Sequence, residues 1–258
     1  CLNEITSISE DATIILHGGE PTLINKSLLI KFLEKAEAKI KEGKQISFNI
    51  QTNGMQIDSE WIEIFKKYNI TVGFSIDGPQ ELHDKYRLTR NGKGSHKTVL
   101  NNITTAGMAG IEKNCLCVIT KDSLENISNL FDFFNDLDIQ GIDFLPCMVE
   151  NDNQKINKTD LTISPEDYAE FIIKYYNLRK ENNSNYDVRS FSDFIDILNG
   201  RDSRTCNLIY PKICGWEVVS VDTDGYVYPC DSFAGIEDMR IGNITEDGLE
   251  KILKSEKA

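Results

Sequence analysis

Three groups of residues in this 258-residue chain have the types and spacing to do chemistry. The first is Gly18-Gly19-Glu20-Pro21, where the apolar run Ile14-Ile15-Leu16 meets two glycines and an acid. Two glycines let a backbone come close to a ligand, and the proline fixes the exit direction while withholding an N–H. Glu20 is thereby offered where a strand stops, the place where parallel α/β folds keep their ligand sites. The second group is two further strand ends of similar make, Gln51-Thr52-Asn53-Gly54 and Ser75-Ile76-Asp77-Gly78-Pro79. One such end is an ordinary turn. Three that converge on one face read as the lining of a site for a small, polar, charged ligand. The third group is Cys206, Cys214 and Cys230, with seven residues between the first two, then ten to Gly225 and four more to Cys230. Thiolates at this spacing suit an iron–sulfur cluster or zinc equally well.

Positioning these residues requires a regular frame, and the hydrophobic pattern supplies one. Strands are predicted over Ala12–His17, Ser47–Thr52, Thr71–Ile76, Asn114–Thr120 and Gly141–Pro146. Between them lie helical stretches with apolar residues three and four apart. One face is Leu28, Phe32, Leu33 and Ala36. The next is Trp61, Ile62 and Phe65, capped by Asp58, and another is Leu124, Ile127, Leu130, Phe131 and Phe134. Alternating strands and helices with nearly continuous apolar strands predict an α/β fold, a parallel sheet covered by helices. The polar stretch Val149–Asp160 reads as a loop. Ser164-Pro165-Glu166-Asp167 is a helix start, leading into a helix with Tyr168, Phe171, Ile172 and Tyr175, and a further helix is predicted over Phe191–Leu198. After Gly200 two alternating β runs flank Thr223-Asp224-Gly225, a hairpin signal. That hairpin brings Cys214 and Cys230 near each other.

Composition narrows the partners. The net charge is −13, against a nucleic-acid binder with its basic stripe. With 40% hydrophobic residues the chain can bury a core. No apolar run approaches the roughly 20 residues that span a bilayer, and no signal peptide is legible, so no membrane partner is expected. Seven cysteines in a chain this large argue against a disulfide framework and for a reducing, cytoplasmic setting. Cys115 and Cys117 alternate with Leu116 and are expected in the core. Cys147, just past a strand end, is expected to pack.

Taken together, the Gly-Gly-Glu-Pro turn, the Ser75–Pro79 run with His83-Asp84-Lys85-Tyr86-Arg87 behind it, and the C-x10-G-x4-C pattern resemble the radical S-adenosylmethionine (SAM) superfamily. Within it they resemble the SPASM-domain subgroup of peptide- and protein-modifying maturases, which includes the anaerobic sulfatase-maturing enzymes. The resemblance implies a partial (β/α)6 TIM-like barrel over 1–163, bridging helices over 164–200, and a SPASM-type β-hairpin module with an auxiliary cluster over 201–258. It implies two cofactors, SAM and [4Fe–4S] clusters. Gly18, Gly19, Glu20 and Pro21 would bind the methionine amino group of SAM, and Asn53 would join the cofactor-binding set. Ser75 and Asp77 would face the ribose or methionine. Arg87 would hold the carboxylate, which suits a guanidinium fork. Cys206, Cys214 and Cys230 would ligate the auxiliary cluster. Asp231 would be the catalytic acid/base.

By the same resemblance the chain is an oxidoreductase that uses a 5′-deoxyadenosyl radical on a peptide or protein substrate, fed by an external electron donor such as flavodoxin or ferredoxin. The main expectation is a ribosomal peptide maturase that forms a thioether or carbon–carbon crosslink. The first alternative is formylglycine formation in a sulfatase. The others are a non-catalytic scaffold and a zinc-stabilised α/β domain. The family's CxxxCxxC, which holds the SAM-cleaving cluster, does not occur in these residues, nor do the later SPASM cysteines. Cys1 is too near Gly18 to open that loop and is not assigned as a ligand. The expectation is that the first strand, the cluster loop and the tail are omitted segments.

Overall fold

A computed structural model describes residues 2–147, 161–201 and 218–255. The expected α/β architecture is present, with a six-stranded parallel sheet and a separate three-stranded antiparallel sheet. The large sheet comprises β1 (Asp11–Leu16), β2 (Gln45–Thr52), β3 (Ile70–Ser75), β4 (Asn114–Ile119), β5 (Gly141–Pro146) and β6 (Asp187–Val188). Its strands lie side by side in chain order, as successive β-α units in a partial barrel do. Two compact units are distinguished. One is Ile15–Leu23 with Asn49–Ser192, and the other is Cys1–Ile14, Ile24–Phe48 and Asp193–Ala258.

In the first unit, period-two alternation gives β3, β4 and β5 one buried face and one more exposed face. Val72 and Phe74 of β3, Cys115, Cys117 and Ile119 of β4, and Ile142 and Phe144 of β5 are buried. Against them lie α3 (Ser59–Lys67), α4 (Gln80–Tyr86), α5 (His96–Met108), α6 (Lys121–Glu125), α7 (Ile127–Asp136) and α8 (Pro165–Glu181). Phe144 centres an aromatic group, its ring 4.6 Å from Tyr175, 5.1 Å from Phe171 and 6.3 Å from Phe134. The expected caps form. Asp58 accepts from the Trp61 N–H at 2.9 Å, and Ser164 and Asp167 make a reciprocal capping box.

Some expectations fail in detail. The buried face of α2 (Lys26–Lys41) is Leu29, Leu33 and Ala36; Leu28 is 61% exposed. Leu28 and Leu29 both fit the helical period, and the packing buries Leu29. The single helix expected from Leu124 to Phe134 is two, because Asn126 leaves helical geometry at φ −121°, ψ 28°. Strand β6 was not anticipated, since two residues carry no periodicity. The stretch after it is α9 (Arg189–Leu198), which contains the predicted Phe191–Leu198 helix.

The second unit holds α1 (Leu2–Ile8), α2, and the small sheet β7 (Ser220–Val221), β8 (Tyr226–Tyr228) and β9 (Gly242–Asn243), with α10 (Leu249–Leu253). The predicted hairpin forms, pairing Ser220 with Tyr228 and Val221 with Val227. Gly225 sits at φ +85°, where a Cβ would come within 2.8 Å of Asn243 Oδ1. Val227, Ile241 and Ile252 make its core. Glu4 accepts from the Leu249 N–H at 3.0 Å and so joins α1 to the start of α10. Strand β9 was also unforeseen. The Val149–Asp160 loop, Cys206, Cys214 and Cys1 lie outside the described residues. No helix among the described residues is long and apolar enough to cross a membrane.

Candidate functional site

Side-chain hydrogen bonds stitch the C-terminal ends of four consecutive strands together. Glu20, just past β1, accepts four. Its Oε1 takes the Thr22 N–H at 2.9 Å, the Thr22 hydroxyl at 2.5 Å and the Thr52 hydroxyl at 2.7 Å. Its Oε2 takes the Asn53 N–H at 2.7 Å. Thr22 is brought round by a 3-10 turn, Pro21–Leu23, and Thr52 is the last residue of β2. From the same strand, Gln51 donates to the Ser75 hydroxyl at 2.9 Å. This crossing depends on Gly73, where a Cβ would lie 2.1 Å from Gln51 Oε1. Beyond β3, Asp77 accepts from the Val118 N–H of β4 at 2.9 Å.

These bonds settle which atoms remain for a ligand. A carboxylate offers about four lone-pair sites. Three donors crowd Oε1 of Glu20 and one reaches Oε2, so the open acceptor position is on Oε2. Ser75 accepts from Gln51, which leaves its hydroxyl proton to donate. Asn53 turns its own Oδ1 to the Met55 N–H at 2.9 Å. Gly18 and Gly19 have φ of +62° and +59°, a conformation L residues rarely adopt, and no atom lies within 4 Å of where their Cβ atoms would be. The backbone there is open to close approach.

Arg87 ends α4 and binds Asp77 with two nitrogens, Nε to Oδ2 and Nη2 to Oδ1, the latter at 3.1 Å. Both side chains are largely buried. The pair is neutral as a unit, so an anion arriving at the remaining guanidinium edge gains hydrogen bonds more than net charge. Asp143 of β5 stands in register with Leu116 and Ser75 across three strands and is ion-paired to Arg189 at 2.9 Å. The sequence analysis missed this second pair. Alternation along β5 was the available sign, since Asp143 falls between buried Ile142 and Phe144. It also missed Thr22, and it placed Gln51 and Thr52 at the site without reading that they brace Ser75 and Glu20.

The described cysteines fall into two groups, two buried and two partly buried. Cys115 and Cys117 are in the core. Burial pushes the Cys115 thiol up to about 12, and burial and then the charge of Asp77 push Cys117 well above the usual thiol range, so neither is a thiolate at neutral pH. Cys147 is partly buried with its thiol raised by burial and then by Asp77. Cys230 is partly buried on the hairpin, and its thiol donates to Asp231 Oδ1 at 3.1 Å. Asp231 is exposed at the start of a short 3-10 turn. Among the described residues no group of three His, Cys, Asp or Glu side chains stands ready for a metal.

The donor and acceptor set fits the methionine end of SAM, a zwitterion with one ammonium and one carboxylate. Glu20 Oε2 and the open glycine backbone suit the first, and the free edge of Arg87 suits the second.

Comparison with known proteins bears on the family and the fold. The profile of the Radical SAM superfamily matches residues 2–134, and that of an iron-sulfur cluster-binding domain, SPASM, matches 213–258. The chain is 31% identical over 249 residues to a cysteine-type anaerobic sulfatase-maturating enzyme of Clostridium novyi, covering 95% of this chain and 65% of that one. It is 30% identical over 255 residues to a serine-type anaerobic sulfatase-maturating enzyme of Bacteroides thetaiotaomicron, covering 93% and 60%. The chain thus spans less than two thirds of the length of these relatives. In fold it is similar to native anSMEcpe with bound AdoMet and Cp18Cys peptide, with a TM-score of 0.83 at 24% identity, covering 99% of this chain and 71% of that one.

Proposed function

Because the chain belongs to the radical SAM superfamily and carries a SPASM domain, with SAM and [4Fe–4S] clusters as the cofactors those domains use, we propose that it modifies a peptide or protein side chain. A sulfatase cysteine or serine is the first substrate class, and formylglycine the product. The observation that carries the SAM assignment is Glu20, whose carboxylate is held by four hydrogen bonds with its open position on Oε2. The names of the two relatives support the substrate class.

When bound beside a reduced cluster, SAM supplies a radical that takes a hydrogen atom from the substrate. The chain's own residues bind and orient. Glu20 accepts from the ammonium group. Arg87, braced by Asp77, donates to the carboxylate, and Ser75 offers a proton to the ribose or methionine. An external electron donor such as flavodoxin or ferredoxin and a cytoplasmic setting belong to the same proposal.

The test is anaerobic turnover with SAM, a reductant and two peptides, one from a sulfatase and one a ribosomal precursor. An aldehyde on the sulfatase peptide, with 5′-deoxyadenosine, is the expected result. A crosslinked precursor without any aldehyde would move the substrate to the ribosomal class. Neither product in a cluster-loaded protein that binds SAM would end the maturase proposal.

The auxiliary site makes a separate prediction. Cys214→Ala with Cys230→Ala should remove about one cluster's worth of iron per chain and leave SAM binding in place. Unchanged iron, or zinc in the purified protein, would argue against these ligands.

A further inference from the structure

We infer that His83, anchored by Ser95, is the residue that positions the Asp77–Arg87 pair to receive the SAM carboxylate, an inference that rests on the assignment of Arg87 to that carboxylate. His83 is fully buried. Its Nδ1 accepts the main-chain N–H of Asp77 at 3.2 Å. Its Nε2 lies 2.9 Å from the Ser95 hydroxyl, which itself donates to the main-chain carbonyl of Arg87 at 2.8 Å. A hydroxyl has one proton. With that proton on the Arg87 carbonyl, Ser95 must accept from His83, so Nε2 carries the hydrogen and Nδ1 is the acceptor. The His83 main-chain carbonyl also accepts the Arg87 N–H at 2.9 Å. The last is an ordinary helical bond, so the ring's own reach is to the main chain of Asp77 directly and to that of Arg87 through Ser95, the two residues whose side chains pair.

The surroundings keep that imidazole neutral. Burial lowers its pKa from 6.5 to about 4; Asp77 and Asp84 pull it back up, while Arg87 and His96 push it down. These groups come from the β3 end, α4 and α5, the elements packed around the ring, and His96 stands edge-on at 5.4 Å. Because the folded value lies below the unfolded one, the neutral ring contributes stability that is complete above about pH 6.5 and is lost as pH falls toward 4. A protonated ring would lose the Nδ1 acceptor and face the Asp77 N–H with a second N–H.

The neighbours of His83 hold the frame and leave the pair to it. Asp84 accepts the His96 N–H at 2.8 Å and caps α5. Lys85 and Tyr86 both donate to Asp122, at 2.6 and 2.5 Å. Among the side chains of this helix, His83 alone bonds to the main chain of Asp77.

The experiment combines SAM calorimetry on cluster-loaded protein with NMR of the Arg87 Nε–H in ligand-free protein. Asn places an acceptor where His has Nδ1, and Gln a donor where it has Nε2. His83→Gln and His83→Phe should each weaken SAM binding roughly tenfold and collapse the downfield Arg87 Nε–H signal, whereas His83→Asn should stay within about threefold. Because His83 acts through Arg87, His83→Phe added to Arg87→Gln should cost little more than Arg87→Gln alone. Full additivity of the two changes would overturn the inference. So would an unaltered Nε–H signal in folded His83→Phe. If Arg87→Gln itself leaves SAM affinity intact, the carboxylate assignment fails, and the ligand-free signal still decides whether His83 sets the pair. Should His83→Phe not fold, Ser95→Ala takes its place with the same expected loss of signal, and a retained signal overturns.

Discussion

Glu20→Gln should lower SAM affinity by roughly ten- to a hundredfold, because a charge-assisted hydrogen bond contributes about 1.5–3 kcal/mol and each 1.4 kcal/mol is tenfold. Two losses combine. The amide has no full negative charge to offer an ammonium group. It also cannot satisfy the four donors that converge on Glu20. If the amide oxygen takes the Oε1 place with its three donors, the NH2 group faces the Asn53 N–H at the Oε2 position, and two donors oppose each other where the ligand's ammonium should sit. Turning the amide over sets the NH2 group against the three donors instead. Thermal stability should fall as well, by an amount consistent with one buried donor left unpaired, about 1–3 kcal/mol. Calorimetry with SAM and a melting curve on the same preparation read both effects. SAM affinity equal to wild type would remove Glu20 from the ammonium site.

If Asp231 is the base for substrate-radical oxidation, Asp231→Asn should reduce product by about 10²–10⁴-fold, while 5′-deoxyadenosine still forms when substrate is present. Proton removal follows hydrogen abstraction, so the earlier product accumulates and the later one does not. Asp231 is exposed, and the contact described for its side chain is with the Cys230 thiol. A Cys230 that ligated a cluster would carry no thiol proton to donate, which would leave the carboxylate for substrate. A bracing role makes the opposite forecast: Asp231→Asn would disturb the cluster first, and iron content or the cluster spectrum would change before activity. Product at the wild-type rate with iron intact would take Asp231 out of the mechanism.

The strand ends were legible because each carries a local signal that needs no partner to be read: glycine after polar residues at a chain reversal, and in the first and third an acid beside it and a proline behind. The same holds for the Ser164 helix start and the Gly225 turn, which depend on a few adjacent residues. The supports were not legible. Thr52 is the final residue of an apolar strand, and nothing nearby says that its hydroxyl reaches back across 32 positions to Glu20. Gln51 and Gly73 are recognisable as partners only once two strands lie side by side. Asp143 and Arg189, 46 positions apart, are joined through β6, a strand too short to have a pattern. Leu28 failed for the reverse reason. It fits the helical period, but so does Leu29, and the packing selects between them.

The α4 helix sets a rule about which changes of chain length this fold can tolerate. Five residues in a row, His83 to Arg87, each carry a side-chain hydrogen bond: His83 and Arg87 to Asp77, Asp84 to His96, and Lys85 and Tyr86 together to Asp122. Each step along a helix turns it by about 100°. A single inserted or deleted residue between Gly78 and His83 would therefore swing all five side chains away from their partners together. Point substitutions here can be compensated one at a time; a shift of frame cannot. The adjoining Arg90-Asn91-Gly92-Lys93 tip is the opposite case. It is exposed and closed by Thr89 and Lys93, whose backbone bond of 2.7 Å can persist around a longer loop. Lineages that diverge in length in this region should do so at that tip, and a reporter peptide is best inserted there.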